Sequence, residues 1–147
     1  ALDREKAEVH TLESASALVG TCMDMCPLYE RYEREQQKDL PVFERLPGTG
    51  PGTANAVSRV NHAACVKRFV RPSPDIEHIP KLPEDFRPAP VLQKTLDFLM
   101  TYQVDRIDHP YVDIFNYIRD RTRSVRVDCS IQHLRGPVAL DLHEKIA

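Results

Sequence analysis

The sequence predicts an all-α protein, and three observations support that class. Apolar residues recur at spacings of three and four in several separate stretches. No stretch alternates apolar with polar residues as a half-buried strand would, and glycine and proline gather in blocks between the periodic segments. Several helix–loop–helix steps without a clean internal repeat suit a helical solenoid.

The elements follow in order. Residues 2–19 read as a helix, with Leu2, Val9, Leu12 and Val19 near one face and Gly20 as its stop. "TCMDMC" is then a short connection, in which Cys22, Met23, Met25 and Cys26 can wedge between helices. Asp24 lies where acceptors satisfy free helix amides. Pro27 is expected as the first helical residue of "PLYERYEREQQKD", a short charged helix ended by Pro41. In it, Glu30/Arg34 and Arg31/Glu35 have the spacing of surface ion pairs.

"LPGTGPGT" (46–53) is a loop with Thr53 as an N-cap. "ANAVSRVNHAACVKRFV" (54–70) is expected to be a helix, with Val57, Val60, Ala64 and Phe69 as its buried stripe. Six of the twelve prolines fall between Pro72 and Pro90, which excludes regular helix there. That segment reads as an extended strap anchored by Ile76, Ile79, Leu82 and Phe86. A helix over 91–102 places Leu92, Leu96, Leu99 and Met100 on one face. Asp108 is the expected N-cap of the next helix, with Pro110 in its first turn and Ile114, Phe115, Ile118 and Val125 pointing inward. "GPVALDLHEKIA" begins a further helix that reaches the chain end without a stop signal.

Length and composition bound the function. The chain has 147 residues, enough for one domain, with 41% hydrophobic and 29% charged residues. No apolar run is long enough to span a membrane, and none has the pattern of a secretory signal. A formal charge of −2 removes any whole-chain attraction to nucleic acid, so such a contact must be a local patch. Four cysteines without an export signal are expected as reduced thiols.

The same cysteines and histidines bear on metal binding and catalysis. Cys22-x3-Cys26 is half of a zinc site, and Cys65 and His133 could complete a spread-out set. Against it, free cysteine commonly serves as a small apolar filler, the role expected of Cys65 and Cys129 on buried helix faces. The spacing does not suit an iron–sulfur site or a thioredoxin-type pair. No nucleophile elbow, paired histidine or phosphate loop with a terminal Gly-Lys-Ser/Thr is present. "TCMDMCP" therefore reads as a structural corner, and the chain as a non-enzyme with no cofactor.

The remaining signal is basic. Arg119, Arg123 and Arg126 fall within an arc of about 60° at about 100° per residue, on the face away from Ile118 and Val125. Arginine forks suit phosphate, and Lys67, Arg68 and Arg71 with Phe69 interleaved could extend the patch. The alternative is a solvated face with Asp120 paired to Arg123. Arg121 and Asp128, nearer the apolar edge, suit internal ion pairs.

Four blocks, "GTCMDMCPLYERYERE", "HAACVKRFVRPSPD", "LPEDFRPAPVLQKTLDFLM" and "IRDRTRSVRVDCSIQHL", occur in that order. Together they resemble the GANP-type mRNA-export scaffolds, the family of germinal-centre-associated nuclear protein and its fungal suppressor-of-actin relatives. The resemblance runs from about Gly20 to the end of the chain, so residues 1–19 would be a separate N-terminal helix and 20–147 the first part of the family's helical region. It implies a TPR/PCI-like opening segment of helix pairs that, in the family, end in a winged helix not included here.

The resemblance also implies partners. Family members are the scaffold of TREX-2, the complex that links transcription to mRNA export at the nuclear pore. They pair with a second PCI-domain subunit braced by a small acidic peptide, engage a DEAD-box RNA helicase and contact RNA. On this reading the protein is nuclear, at the envelope-embedded pore and without membrane insertion. Tyr29, Glu30, Arg31, Tyr32 and Arg34 of the charged helix are then the candidate contacts for the helicase or the PCI subunit.

Overall fold

The computed structural model describes residues 18–71, 73–74, 79–103, 106 and 108–134. The helix expected over 2–19 lies outside these residues except for its last two positions, which are not helical. The helix expected at the chain end and the anchor Ile76 also lie outside them.

The described residues are helical, with no β-strand among them. Helix α1 spans Leu28–Gln36, α2 spans Ala89–Phe98 and α3 spans Tyr111–Ile131. Short 3-10 turns occur at Val42–Glu44 and Pro83–Asp85, and a π-helical turn, Leu99–Gln103, continues α2. The all-α expectation is met.

Each α-helix follows a proline. Pro27, Pro88 and Pro110 occupy the position just before the first helical residue, in extended geometry, and no side chain caps any of the three helices. A proline there supplies a fixed φ and its carbonyl accepts the first helical bonds. Pro27 thus stands one place earlier than expected. Asp108 is not the cap of α3; its carboxylate meets Arg106 at 3.5 Å and His109 at 3.2 Å.

The helix ends were invisible in the sequence. Lys38 and His133 both adopt positive φ, 58° and 51°. After α1, the Lys38 amide donates to the Glu35 carbonyl and the Asp39 amide to that of Arg34. After α3, the His133 amide donates to Ser130 and the Leu134 amide to Cys129. Both are Schellman closures, with residues other than the usual glycine in the left-handed position. Helix α1 therefore stops before Pro41 is reached.

The segment 54–70 is not a helix. It runs as a loop to a turn at 62–64 and then as chain without regular secondary structure. Val57 is exposed, Ala64 and Phe69 are half-buried, and only Val60 of the expected stripe is buried. Side chains outcompete the helical ladder here. Asn55 and Asn61 accept from the amides of Val57 and Ala63, and the Glu35 carboxylate takes the Val60 amide at 2.7 Å. Bridges Arg45–Val60 and Thr49–Asn55 close the loop, with Gly48, Gly50 and Gly52 at positive φ. The Thr53 hydroxyl donates to the Gly50 carbonyl, so Thr53 caps no helix.

Two further corrections concern anchors. Of the strap's expected anchors among the described residues, Ile79 and Leu82 are exposed at 60% and 47%, and Phe86 is buried. Phe115 of α3 is 49% exposed, whereas Ile114 and Val125 are buried and Ile118 is partly so. Met23 also faces solvent, while Cys22, Met25 and Cys26 wedge inward as expected.

Three apolar clusters make the core. Met25, Phe43, Val66, Leu99, Ile114 and Tyr117 form one, Leu92, Leu96, Val125 and Cys129 a second, and Cys26, Leu40, Val60 and Cys65 a third. Residues 20–22 run beside 83–86, with the amides of Thr21 and Cys22 donating to the carbonyls of Pro83 and Phe86. Gly20 makes that approach possible, since a Cβ there would stand 2.3 Å from the Phe86 carbonyl oxygen.

Candidate functional site

Clusters this small cannot hold so much irregular chain by themselves, and two buried carboxylates do the joining. Glu44, fully buried on its 3-10 turn, sits between Arg34 of α1 at 3.1 Å and Arg121 of α3 at 2.7 Å. It also accepts the Val66 amide at 2.9 Å. Arg34 is completed by the Val66 carbonyl, Glu30 and the sulfur of Cys65, and Arg121 by Asp120 and the face of Tyr117. The three acids Glu44, Glu30 and Asp120 thus answer two guanidinium groups.

Burial raises the Glu44 pKa, but Arg121 and then Arg34 outweigh it by charge and hydrogen bonding, so the carboxyl titrates below its usual range. Burial works against both arginines too, and Glu44 reverses it, leaving each more firmly protonated than a free arginine.

Asp128 of α3 forms the second junction. It is fully buried and bridges Arg87 at 2.8 Å and Lys67 at 2.8 Å, while also accepting the Arg87 amide. Arg87 reaches on to the Met25 carbonyl and the Ser124 hydroxyl, and the Lys67 ammonium lies over the Phe86 ring. Gln132 accepts from the Gly20 amide and donates to the Arg87 carbonyl. The internal ion pairs expected of Arg121 and Asp128 are present, with partners from distant chain.

The candidate contact residues on α1 divide in two. Tyr29 and Tyr32 are exposed at 78% and 53% beside exposed Leu28, and Glu30 is half-buried. Arg31 and Arg34, expected on an exposed face, are buried. Arg31 turns away from Glu35 to meet Asp24 at 2.9 Å and His62, and Arg34 is committed to Glu44. Asp24 thus supports α1 through a side chain and does not cap its amides. The surface available to a partner is aromatic, over a floor of locked arginines.

The candidate phosphate-binding residues also divide. Arg119, Arg123 and Arg126 lie exposed along α3, as their spacing predicts. Asp120 pairs with Arg121 and accepts the Phe69 amide, so it does not neutralise Arg123. Lys67 is spent on Asp128, and half-buried Arg68 is paired with Asp39, while Arg71 is exposed. Two of the six are therefore already engaged by carboxylates.

The cysteines are free and buried. Cys26 and Cys65 both accept from the Arg34 guanidinium, and the Cys26 thiol donates to Glu30 at 3.1 Å. The hydrogen bond with Cys65, then burial, push the Cys26 pKa up, and burial does the same to Cys22 and Cys129. Cys129 belongs to a different apolar cluster, and Cys65 lies on chain without regular secondary structure and not on a helix. Among the described residues no three His, Cys, Asp or Glu side chains are grouped to hold a metal ion.

Glu44 and Arg87 were not singled out in the sequence. The available signal was a charged residue set in an apolar or proline-flanked run, "PVFERL" and "DFRPAP".

The sequence profile described as the SAC3/GANP family matches residues 25–147. The chain is 43% identical over 136 residues to SAC3 family protein 1 of Schizosaccharomyces pombe, covering 92% of this chain and 12% of that protein. It is 33% identical over 138 residues to SAC3 family protein B of Arabidopsis thaliana, covering 91% of this chain and 7% of that protein. It is 32% identical over 143 residues to Protein xmas of Drosophila melanogaster, covering 94% and 6%. The chain thus spans a small part of the length of each of these relatives.

Proposed function

The chain belongs to the SAC3/GANP family, and from that premise we propose that it is a non-enzymatic scaffold segment of the TREX-2 complex, acting in mRNA export from the nucleus at the nuclear pore. Its work is protein–protein contact: it holds the PCI-domain subunit and presents α1 to a DEAD-box RNA helicase. The helical stack of the family would continue beyond α3.

One observation supports this reading above the others. The side chains with the most chemistry to offer, Glu44, Asp128, Arg34, Arg87, Arg121 and the thiols, are buried and occupied with one another. The large apolar side chains that α1 leaves outside are Leu28, Tyr29 and Tyr32. Exposed tyrosines on a rigid helix are typical anchors of protein interfaces, because they bury much area at low entropic cost.

The test is a pull-down from the protein co-expressed with its PCI-domain subunit, using the helicase as prey. Tyr29→Ala with Tyr32→Ala should remove most helicase capture and leave PCI-subunit capture intact. Equal capture by parent and variant would show that α1 is not the helicase dock.

A further inference from the structure

The outer face of α3 shows a different chemistry. Arg31, Arg34, Arg59, Arg68, Arg87, Arg106 and Arg121 each meet a carboxylate. Arg119 and Arg126 have no ion pair among the described residues, and Arg123 has only the Phe69 ring, 5.7 Å from its guanidinium. These three arginines and Thr122 line a depression of about 410 Å³ whose apolar floor is Met100, Phe115 and Ile118. Tyr111 stacks on Phe115, with ring centroids 6.3 Å apart, and extends the apolar stripe towards the start of α3.

We propose that this depression docks an acidic amphipathic helix of a partner protein. One or two aliphatic side chains would enter the floor, and carboxylates spaced three and four residues apart would meet Arg119, Arg123 and Arg126. Charge complementarity selects that occupant. The forks recur at intervals of four and three along α3, the spacing at which a second helix places neighbouring carboxylates on one face. Each guanidinium can take a carboxylate bidentately.

RNA shares the taste for arginine but fits less well. The floor is mostly aliphatic and thioether, and its one ring is already stacked by Tyr111. This surface is built on α3 and the helicase dock on α1, so the two readings can fail separately.

The test uses fluorescence anisotropy with two probes, a short fluorescein-labelled helix bearing a leucine stripe flanked by glutamates, and labelled oligo-uridine. The acidic helix should bind the chain, and reversing Arg119, Arg123 and Arg126 to Glu should weaken it about tenfold or more. Phe115→Ser should weaken it severalfold, because the floor is lost. A lysine version of the probe should prefer the reversed variant over the parent, a rescue that general damage to the fold cannot produce. All three arginines are exposed, so the melting temperature of the reversed variant should match the parent's. Tighter binding of oligo-uridine than of the acidic helix, lost in the reversed variant, would overturn the proposal in favour of a nucleic-acid surface. Unchanged peptide binding by the reversed variant would overturn it outright.

Discussion

Glu44→Gln is the sharpest probe of what holds this fold together. The substitution is nearly isosteric, so it leaves no cavity. Its oxygen can still accept the Val66 amide, but its amide nitrogen then turns donors towards a guanidinium. Arg34 and Arg121, both buried, lose the negative charge between them and face each other across it. Removing one partner of a buried ion pair costs about 3–5 kcal/mol, and here two cations are left short. Total stabilities run at about 5–15 kcal/mol, so the loss is a large share of the whole. With a urea slope of about 2 kcal/mol per molar, a loss of about 4 kcal/mol moves the midpoint down by about 2 M. Urea unfolding followed by circular dichroism measures it, with exposed Gln36→Glu as the control. A loss under about 1 kcal/mol would refute the claim that this carboxylate ties α1 to α3.

Other outcomes follow from the same geometry. Phe86→Ala should cost about 3–5 kcal/mol in urea unfolding, while Ile79→Ala on the exposed part of the strap should stay within about 0.5 kcal/mol. Gly20→Ala should lower the melting temperature, since its Cβ would press on the Phe86 carbonyl and Gln132, an overpacking cost of about 1–3 kcal/mol. Glu44 has a depressed folded-state pKa, so its contribution is present above the ordinary glutamate pKa and is lost as pH falls through the lower folded value. An acid titration of stability should therefore show a loss that Glu44→Gln removes. Cys26 has a raised pKa, so its contribution is full below the ordinary thiol range and declines as pH rises beyond it. Cys26 and Cys65 should also resist iodoacetamide until the chain unfolds.

The helices were legible because their signals are local. Leu92, Leu96 and Leu99 repeat at helical spacing and are buried as that spacing requires, and Pro27 and Pro110 mark the starts of α1 and α3, whereas Pro88 and Pro90 at the start of α2 read as strap. The loop over 54–70 was not legible, because Val57, Val60 and Ala64 imitate a helical stripe. What defeats that helix is distant: the carboxylates of Glu35 and Glu44 claim the amides of Val60 and Val66. Arg34 shows the same limit. Its spacing from Glu30 was read as a surface pair, which forms at 3.4 Å, but the stronger partner, Glu44, arrives across a turn that periodicity cannot foresee. The α3 arginines were placed correctly, since one helix fixes their arc, whereas Lys67 was lost to Asp128, 61 residues away. Side chains whose role is set within one helix can be read from sequence, and those that bridge elements cannot.

Hydrogen exchange tests the central claim, that this chain is a scaffold working through its α1 face, most directly. The protein with the proposed PCI-domain partner would be exchanged with and without the proposed DEAD-box helicase, and the peptides covering Leu28–Gln36 compared. The account predicts slower exchange there when the helicase is present, and no such change for the Tyr29→Ala, Tyr32→Ala variant. Helicase binding that leaves those peptides unchanged while protecting another surface would contradict it.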